Sequence, residues 1–243
     1  MKKFISLKMI FLYILIITSV IIIPKIINNK INYLSIGDSY AKGINSYGIE
    51  EYSYSDYLKD MINNKRKLND YTNYSYDEIT INDLINEINK IQNNDIKLQK
   101  RLLKRLIQDA DIITLSIGLN DIKYYLSLED NMNNKKINKI LEKVENNYND
   151  LIKEIRKYYS KKIYVIEYPI IMTNDYYSLV LTKKFNQFLR SNKEVKSISI
   201  NDIENDKNTY FDNNNSSHYN RKGYKVISNK IYKMIEKGWK IIK

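Results

Sequence analysis

Three polar side chains of this chain are of the types that together can transfer an acyl group. Ser39 follows Gly37 and Asp38 at the end of an apolar run, a position typical of a nucleophile delivered to the edge of a sheet. His218, the only histidine, lies in a polar stretch near the C-terminus and could act as a general base toward Ser39. Asn120 follows a second apolar run, and a neutral amide there could donate to a developing oxyanion.

Each of these residues also has a structural interpretation that needs no chemistry. Asp38 and Ser39 after a strand are ordinary N-cap residues for a following helix. Asn120 and Asp121 after a glycine are common in turns. A single histidine in a polar loop is often simply exposed. From any one of these residues alone, the structural interpretation is the better one.

Glycine is rare in this sequence, so the positions that keep it are informative. The six glycines lie at positions 37, 43, 48, 118, 223 and 238. Gly37 and Gly118 stand where the two apolar runs end, and glycine tolerates backbone conformations that strain other residues. We therefore expect Gly37 and Gly118 to support the loops that carry the reactive side chains.

Alternating strands and helices are predicted to position these residues. The predicted strands cover 31–37, 71–75, 111–118, 162–167 and 195–200. The predicted helices cover 54–65, 80–88, 96–107, 135–159 and 179–190, with a further amphipathic helix at the C-terminus. This alternation favours one α/β domain built as a three-layer α/β/α sandwich around a parallel five-stranded sheet. Asn120 and Asp121 are expected on a loop at the same sheet edge as Ser39.

Composition limits the function classes. The formal net charge is +12, but the lysines are scattered and interleaved with acidic residues, as on solvated surfaces, so we expect no nucleic-acid partner. The chain has no cysteine, which excludes disulfides, thiolate metal sites and a lipoprotein anchor. One histidine leaves no multi-histidine metal site, and we expect neither a metal nor a cofactor.

The N-terminus predicts a membrane segment. Residues 9–23 are fifteen uncharged, mostly apolar residues, with Lys8 before them and Pro24 and Lys25 after them. The run is short for a spanning helix, but flanking lysines can snorkel. A small-residue cleavage site is missing, so we expect an uncleaved signal anchor with the catalytic domain outside the cell membrane; a cleaved signal and secretion are the alternative. The chain then divides into an anchor and spacer, 1–30, and a catalytic domain, 31–243.

Three segments taken together resemble the GDSL or SGNH family of serine hydrolases. They are GDSYAKG at 37–43, GLND at 118–121, and His218 with Asn220 and Gly223 after it. The segments occur in the family's order, and the resemblance covers roughly 32–235. It implies a flavodoxin-like fold and an esterase or lipase-like activity.

The resemblance also implies a role for each residue. Ser39 would attack the acyl carbonyl, and His218 would take its proton and pass it to the leaving alcohol. The backbone N–H of Ser39 and the side chain of Asn120 would hold the oxyanion. Asp38 would fix the loop that carries Ser39 rather than take part in the chemistry. The substrate would be a lipid ester, a short-chain ester or an O-acetylated envelope glycan.

Two departures from the family pattern leave alternatives open. The family's second block usually offers a glycine N–H to the oxyanion, yet no glycine lies between positions 48 and 118, and a backbone N–H near residues 73–75 could substitute. The family often has an aspartate three residues before the histidine, where this chain has Asn215. Asn215 could orient the imidazole through its carbonyl oxygen, although it cannot stabilise the imidazolium as a charge would. Asp212 could instead replace the missing aspartate if the loop folds back; otherwise the chain is a Ser-His dyad or a weakened enzyme. The alternative function is a catalytically silent member of the fold that binds a glycan or lipid at the cell envelope.

Overall fold

One parallel sheet forms the centre of the protein. The computed structural model describes residues 11–16, 18, 30–65, 68–90, 102–170, 175–212 and 217–240. The strands, numbered in chain order, are β1 (Ile31–Gly37), β2 (Leu68–Ser75), β3 (Ile112–Ser116), β4 (Ile163–Ile166) and β5 (Val195–Ile198). All neighbouring pairs are parallel, in the order β2-β1-β3-β4-β5. The winding direction reverses between β1 and β3, which is where ligands bind in open sheets of this kind.

Helices cover both faces of this sheet. Their bounds are α1 (Ser39–Lys42), α2 (Tyr54–Lys65), α3 (Ile81–Asn89), α4 (Leu103–Asp109), α5 (Leu119–Ser127), α6 (Asn134–Arg156), α7 (Tyr176–Ser191), α8 (Asn201–Glu204), α9 (Lys207–Tyr210) and α10 (Arg221–Lys240). Helix α2 packs against α10, whereas α3, α5 and α7 pack with α6 or with each other. The predicted three-layer sandwich with a parallel five-stranded sheet is confirmed.

Local sequence signals account for the helices that hold the sheet edge in place. Thr80 caps α3 through a reciprocal capping box with Asp83, as the sequence predicts. Asn133 caps α6 by accepting a hydrogen bond from the backbone N–H of Lys136 at 3.0 Å. Helix α6 buries one apolar face, and its residue Val144 is fully buried in the core.

The structure corrects the prediction that Asn120 and Asp121 lie on a loop. Both residues lie in the first turn of α5, whose N-cap is Gly118. The signal for this helix is short: Leu119 and Ile122 are buried three residues apart. Other boundaries shift by a few residues. Strand β2 begins at residue 68 rather than 71, helix α6 ends at 156 rather than 159, and strand β5 ends at 198 rather than 200.

Much of the predicted membrane segment lies outside the described residues. Of residues 9–23, the structure describes 11–16 and 18, and these are helical. Across the part of the chain that the structure describes, no helix combines the length and apolar character needed to cross a membrane. The anchor therefore stays a prediction. Half of the predicted helix 96–107, residues 96–101, likewise lies outside the described residues, which resume at residue 102 with α4 beginning at Leu103.

Candidate active site

The end of β1 is held tightly against the end of β3. Gly37 pairs with Ser116 in the parallel register, and the N–H of Asp38 donates to the carbonyl of Ser116 at 2.9 Å. The φ angle of Gly37 is +154°, and a Cβ added there would lie 2.2 Å from the Ser116 carbonyl oxygen. Only glycine permits this close approach, which fixes where the chain leaves the sheet and therefore where Ser39 stands.

Asp38 is the buried support of the nucleophile loop. Its carboxylate caps α1 by accepting from the backbone N–H of Tyr40 at 3.1 Å. The same carboxylate accepts from the hydroxyls of Ser116 at 2.6 Å and Tyr168 at 2.5 Å. Burial raises the pKa of Asp38 to about 6, and these hydrogen bonds together with the charge of Lys123 oppose that rise. The expected loop-supporting position of Asp38 thus has a defined set of partners.

Ser39 and His218 meet at the carboxyl edge of the sheet. The Oγ of Ser39 lies 2.8 Å from Nε2 of His218, across 179 positions of sequence. Asp38 is the N-cap of α1 and Ser39 is its first residue. The N-cap interpretation of this segment is therefore correct, and it is compatible with a reactive Ser39. If Nε2 accepts the Ser39 proton, Nδ1 carries the ring hydrogen, and Nδ1 lies 3.2 Å from the hydroxyl of Ser217. The pair has the geometry of a nucleophile with its general base.

The surroundings of His218 favour the neutral imidazole. Burial and the positive charge of Lys123 together lower the pKa of His218 to about 4, while the negative charge of Asp77 opposes this. A neutral ring can accept a proton, which an imidazolium cannot. At neutral pH the imidazole is therefore unprotonated and able to accept a proton from Ser39.

Asn120 carries a donor at the same edge. Its amide nitrogen donates to the carbonyl of Ile79 at 3.1 Å, which orients the side chain. A carboxamide has two N–H donors, so one bond to Ile79 leaves a second available for an oxyanion. The next residue, Asp121, accepts from the N–H of Ile81 at 3.1 Å, so the two side chains bind neighbouring residues of one segment. Burial raises the pKa of Asp121 to about 7.

Gly118 supports this second segment through a close contact. Its φ angle is +120°, and a Cβ added there would lie 2.6 Å from the ring of Phe185. Both the backbone conformation and the contact require glycine. The predicted supporting position of Gly118 therefore has a physical basis in the structure.

The structure does not bring Asp212 to the imidazole. The Asp212 side chain is exposed, and the described residues show no hydrogen bond between it and His218. Asn215 lies outside the described residues, so its relation to the ring is not addressed. The segment 73–75, where a substitute oxyanion donor is predicted, lies inside β2 and pairs with β1 up to Gly37. That third donor stays a prediction.

Sequence reasoning missed several residues that build the site. Tyr168 stands directly after the predicted strand 162–167 and directly before Pro169. These neighbours were the available signal that Tyr168 lies at the carboxyl edge of the sheet. Tyr40 directly follows the nucleophile, yet nothing in its type predicts a contact with a residue 177 positions away. Ser217 adjoins the histidine in sequence.

Within the described residues, no group of three or more His, Asp or Glu side chains is arranged to hold a metal ion.

Comparison with known families gives one match that spans most of the chain. A family model described as GDSL-like Lipase/Acylhydrolase matches residues 33–231. This range includes Ser39, Asn120 and His218. A search of curated protein sequences found no matching relative.

Solved structures of esterases and lipases have a similar fold. A lipase from a goat rumen metagenome is 16% identical with a TM-score of 0.65, over 83% of this chain and 96% of that one. An acetylxylan esterase from Geobacillus stearothermophilus is 16% identical with a TM-score of 0.56, over 84% and 93%. A psychrotrophic esterase from Pseudoalteromonas is 17% identical with a TM-score of 0.54, over 86% and 98%. At these identities the likeness shows the fold alone.

Proposed function

Because this chain belongs to the GDSL-like lipase/acylhydrolase family and is an ester-bond hydrolase, we propose that it cleaves carboxylic esters through an acyl-enzyme on Ser39. The observation that carries the proposal is the 2.8 Å distance between Ser39 Oγ and His218 Nε2. A serine hydroxyl is a weak nucleophile by itself, and a base within hydrogen-bond reach is what activates it.

The proposed reaction has two halves that use the same pair of side chains. Ser39 Oγ bonds to the ester carbonyl carbon while its proton passes to Nε2 of His218. The bond to the alcohol oxygen then breaks, and the imidazolium returns that proton to the leaving alcohol. In the second half His218 takes a proton from water, the resulting hydroxide oxygen bonds to the acyl carbon, and the proton returns to Ser39 as the acid leaves.

Two donors are proposed to stabilise the oxyanion. The N–H of Ser39 stands at the first position of α1, where backbone donors lack an intrahelical acceptor. The second N–H of the Asn120 amide is the other donor, because the first is used by Ile79. Donors that are fixed before the reaction need no reorganisation when charge develops, which is why such contacts contribute strongly to rate.

The proposed substrates are lipid esters, short-chain esters or O-acetylated glycans. The similar structures include a lipase and an acetylxylan esterase, so both lipid and acetyl-glycan esters belong in a substrate screen. The proposed location is the cell membrane, with residues 9–23 as an uncleaved anchor and the catalytic domain outside. Mass spectrometry of the native protein tests this: an N-terminus beyond residue 23 would identify a removed signal and favour secretion.

A substrate screen with matched variants tests the proposed activity. The full chain is assayed on p-nitrophenyl acetate, a long-chain p-nitrophenyl ester and an acetylated xylan. Ser39→Ala and His218→Ala should abolish hydrolysis, whereas Ser127→Ala, which removes an exposed hydroxyl elsewhere, should leave it unchanged. Hydrolysis that survives Ser39→Ala would contradict the mechanism. Binding of a glycan or lipid without any hydrolysis would favour the silent binding protein.

A further inference from the structure

Tyr40, the residue after the nucleophile, contacts three consecutive residues of the histidine loop. Its hydroxyl donates to the carbonyl of Ser217 at 2.6 Å. Its ring stacks on the imidazole of His218, with centroids 5.0 Å apart and an interplanar angle of 26°. Its ring also meets the ring of Tyr219 edge-on at 5.7 Å. One side chain thus fixes the position of the base from the segment that carries the nucleophile.

Tyr40 is itself held rigidly. Its side chain is 2% exposed, and its backbone N–H is bonded to the Asp38 carboxylate. The ring of Tyr168 meets the Tyr40 ring edge-on at 5.1 Å, and the Tyr168 hydroxyl is bonded to the same Asp38 carboxylate. A buried polar network with every member paired is stiff, so the Tyr40 ring cannot shift without breaking several contacts.

A second hydrogen bond links the segment after β1 to the histidine loop. The hydroxyl of Ser46 donates to the carbonyl of His218 at 3.1 Å. Successive carbonyls at 217 and 218 are therefore both bound by hydroxyls from the segment after β1. The backbone of the histidine loop is aligned to the nucleophile segment, while the stacked ring of Tyr40 sets the plane of the imidazole.

From these contacts we infer that Tyr40 is a positioning residue, which aligns the His218 imidazole with Ser39 and stabilises the imidazolium formed during acyl transfer. The second part follows from the stack. A cation within about 6 Å of an aromatic centroid is attracted to the ring face, most strongly where water is excluded. The inference rests on the proposed Ser-His mechanism.

Two substitutions separate the hydroxyl from the ring. Tyr40→Phe removes the bond to Ser217 and keeps the stack, so kcat should fall only about two- to tenfold, the worth of one neutral hydrogen bond. Tyr40→Leu removes the stacked ring as well, and kcat should fall about 10²-fold, the scale of a small misplacement of catalytic groups. In both variants KM should stay within about twofold, because the Tyr40 side chain is buried beneath the surface that a substrate would meet. In Tyr40→Leu, the acid limb of the kcat/KM profile should also move to lower pH.

A buried tyrosine at the opposite edge of the sheet supplies the control. Tyr159, just after α6, is 4% exposed, and its hydroxyl donates to the carbonyl of Lys162, the residue before β4, at 3.2 Å. Tyr159→Leu therefore removes a buried ring and a hydroxyl bonded to a backbone carbonyl, as Tyr40→Leu does. Thermal melting should show that both variants are destabilised, while only Tyr40→Leu loses kcat. Equal kcat losses in these two variants, or a Tyr40→Leu enzyme with wild-type kcat and pH profile, would overturn the inference.

A fluorophosphonate probe separates this inference from the proposed mechanism. Wild-type chain that labels at Ser39, with Tyr40→Leu labelling about 10²-fold more slowly, supports both. Wild-type labelling at Ser39 with an unchanged rate in Tyr40→Leu overturns the role of Tyr40 alone. If Tyr40→Leu does not fold, Tyr40→Phe decides: the positioning role requires its kcat to fall with KM unchanged, and a wild-type kcat overturns that role.

Discussion

Gly37 and Ser116 approach so closely that a single Cβ at position 37 would lie 2.2 Å from the Ser116 carbonyl oxygen. The contact joins the two strands that lead into Ser39, the proposed nucleophile, and Asn120, the proposed oxyanion donor. It also lets the N–H of Asp38 reach that carbonyl. The position of Ser39 therefore depends on the absence of a side chain two residues before it.

We expect Gly37→Ala to weaken both the fold and the activity. The added methyl group must push β1 away from β3, which should cost about 3 kcal/mol of unfolding free energy, the upper range for overpacking. Denaturant unfolding measures that cost. Gly48→Ala is the control: Gly48 also has a positive φ, +74°, but a Cβ there meets no atom within 4 Å. It should cost about 1–2 kcal/mol from backbone conformation alone and keep kcat.

A second prediction concerns the pH dependence of activity. The reaction needs neutral His218, and its pKa is lowered to about 4 by burial and by Lys123, with Asp77 opposing. As the pH is lowered, kcat/KM should therefore stay constant down to pH 5. It should then fall with a midpoint near pH 4, rather than near 6.5, the ordinary pKa of histidine. Lys123→Met removes a nearby positive charge, so protonation becomes easier and the midpoint should rise. A wild-type midpoint near 6.5 would show that the imidazole is not shielded in this way.

Asn120 should act in the transition state rather than in binding. Asn120→Ala removes the proposed oxyanion donor, and kcat should fall about 10²–10³-fold with little change in KM. Asn147→Ala is a matched control, since Asn147 is another half-buried amide whose nitrogen bonds one protein oxygen, the hydroxyl of Tyr125. Steady-state kinetics compares the two variants. Equal kcat values for Asn120→Ala and the wild type would remove Asn120 from the oxyanion site.

The absence of an aspartate three residues before His218 gives a further prediction. Asp212 is exposed, and the described part of the histidine loop shows no hydrogen bond between it and His218. Asp212→Ala should therefore change kcat by no more than about twofold, as for surface substitutions in general. Asn215→Ala in parallel tests the other open alternative. If Asp212→Ala lowered kcat 10²-fold while the protein stayed folded, Asp212 would be the residue that orients the imidazole.

The fold was predictable because local pattern and global topology agree in this chain. Strand β3 is an apolar run whose five residues are all buried, and such runs are typical of a parallel sheet covered on both faces. Helix α5 was missed because its apolar spacing is confined to nine residues that begin with turn-forming types. The start of β2 was missed because this edge strand is only half-buried, so its sequence is mostly polar and lacks an apolar run.

The reactive pair was predictable from residue types, but its supports were not. Ser39 and His218 stand out by chemistry, and the ends of parallel strands converge on one edge. The contacts of Tyr40 with Ser217 and His218 depend on how α1 turns beneath the histidine loop. Such a packing relationship has no periodic signal in the sequence. The two hydroxyl partners of the Asp38 carboxylate, Ser116 and Tyr168, come from distant segments and could not be predicted from the sequence either.

The most direct test of the account is the site of covalent capture by a fluorophosphonate, read by intact-mass and peptide mass spectrometry of the full chain. We predict one adduct per chain, located on Ser39, absent from Ser39→Ala, and formed at least about 10²-fold more slowly in His218→Ala, the lower range for loss of a general base. An unlabelled wild-type chain, or an adduct on any residue other than Ser39, would contradict the claim that Ser39 is the nucleophile activated by His218.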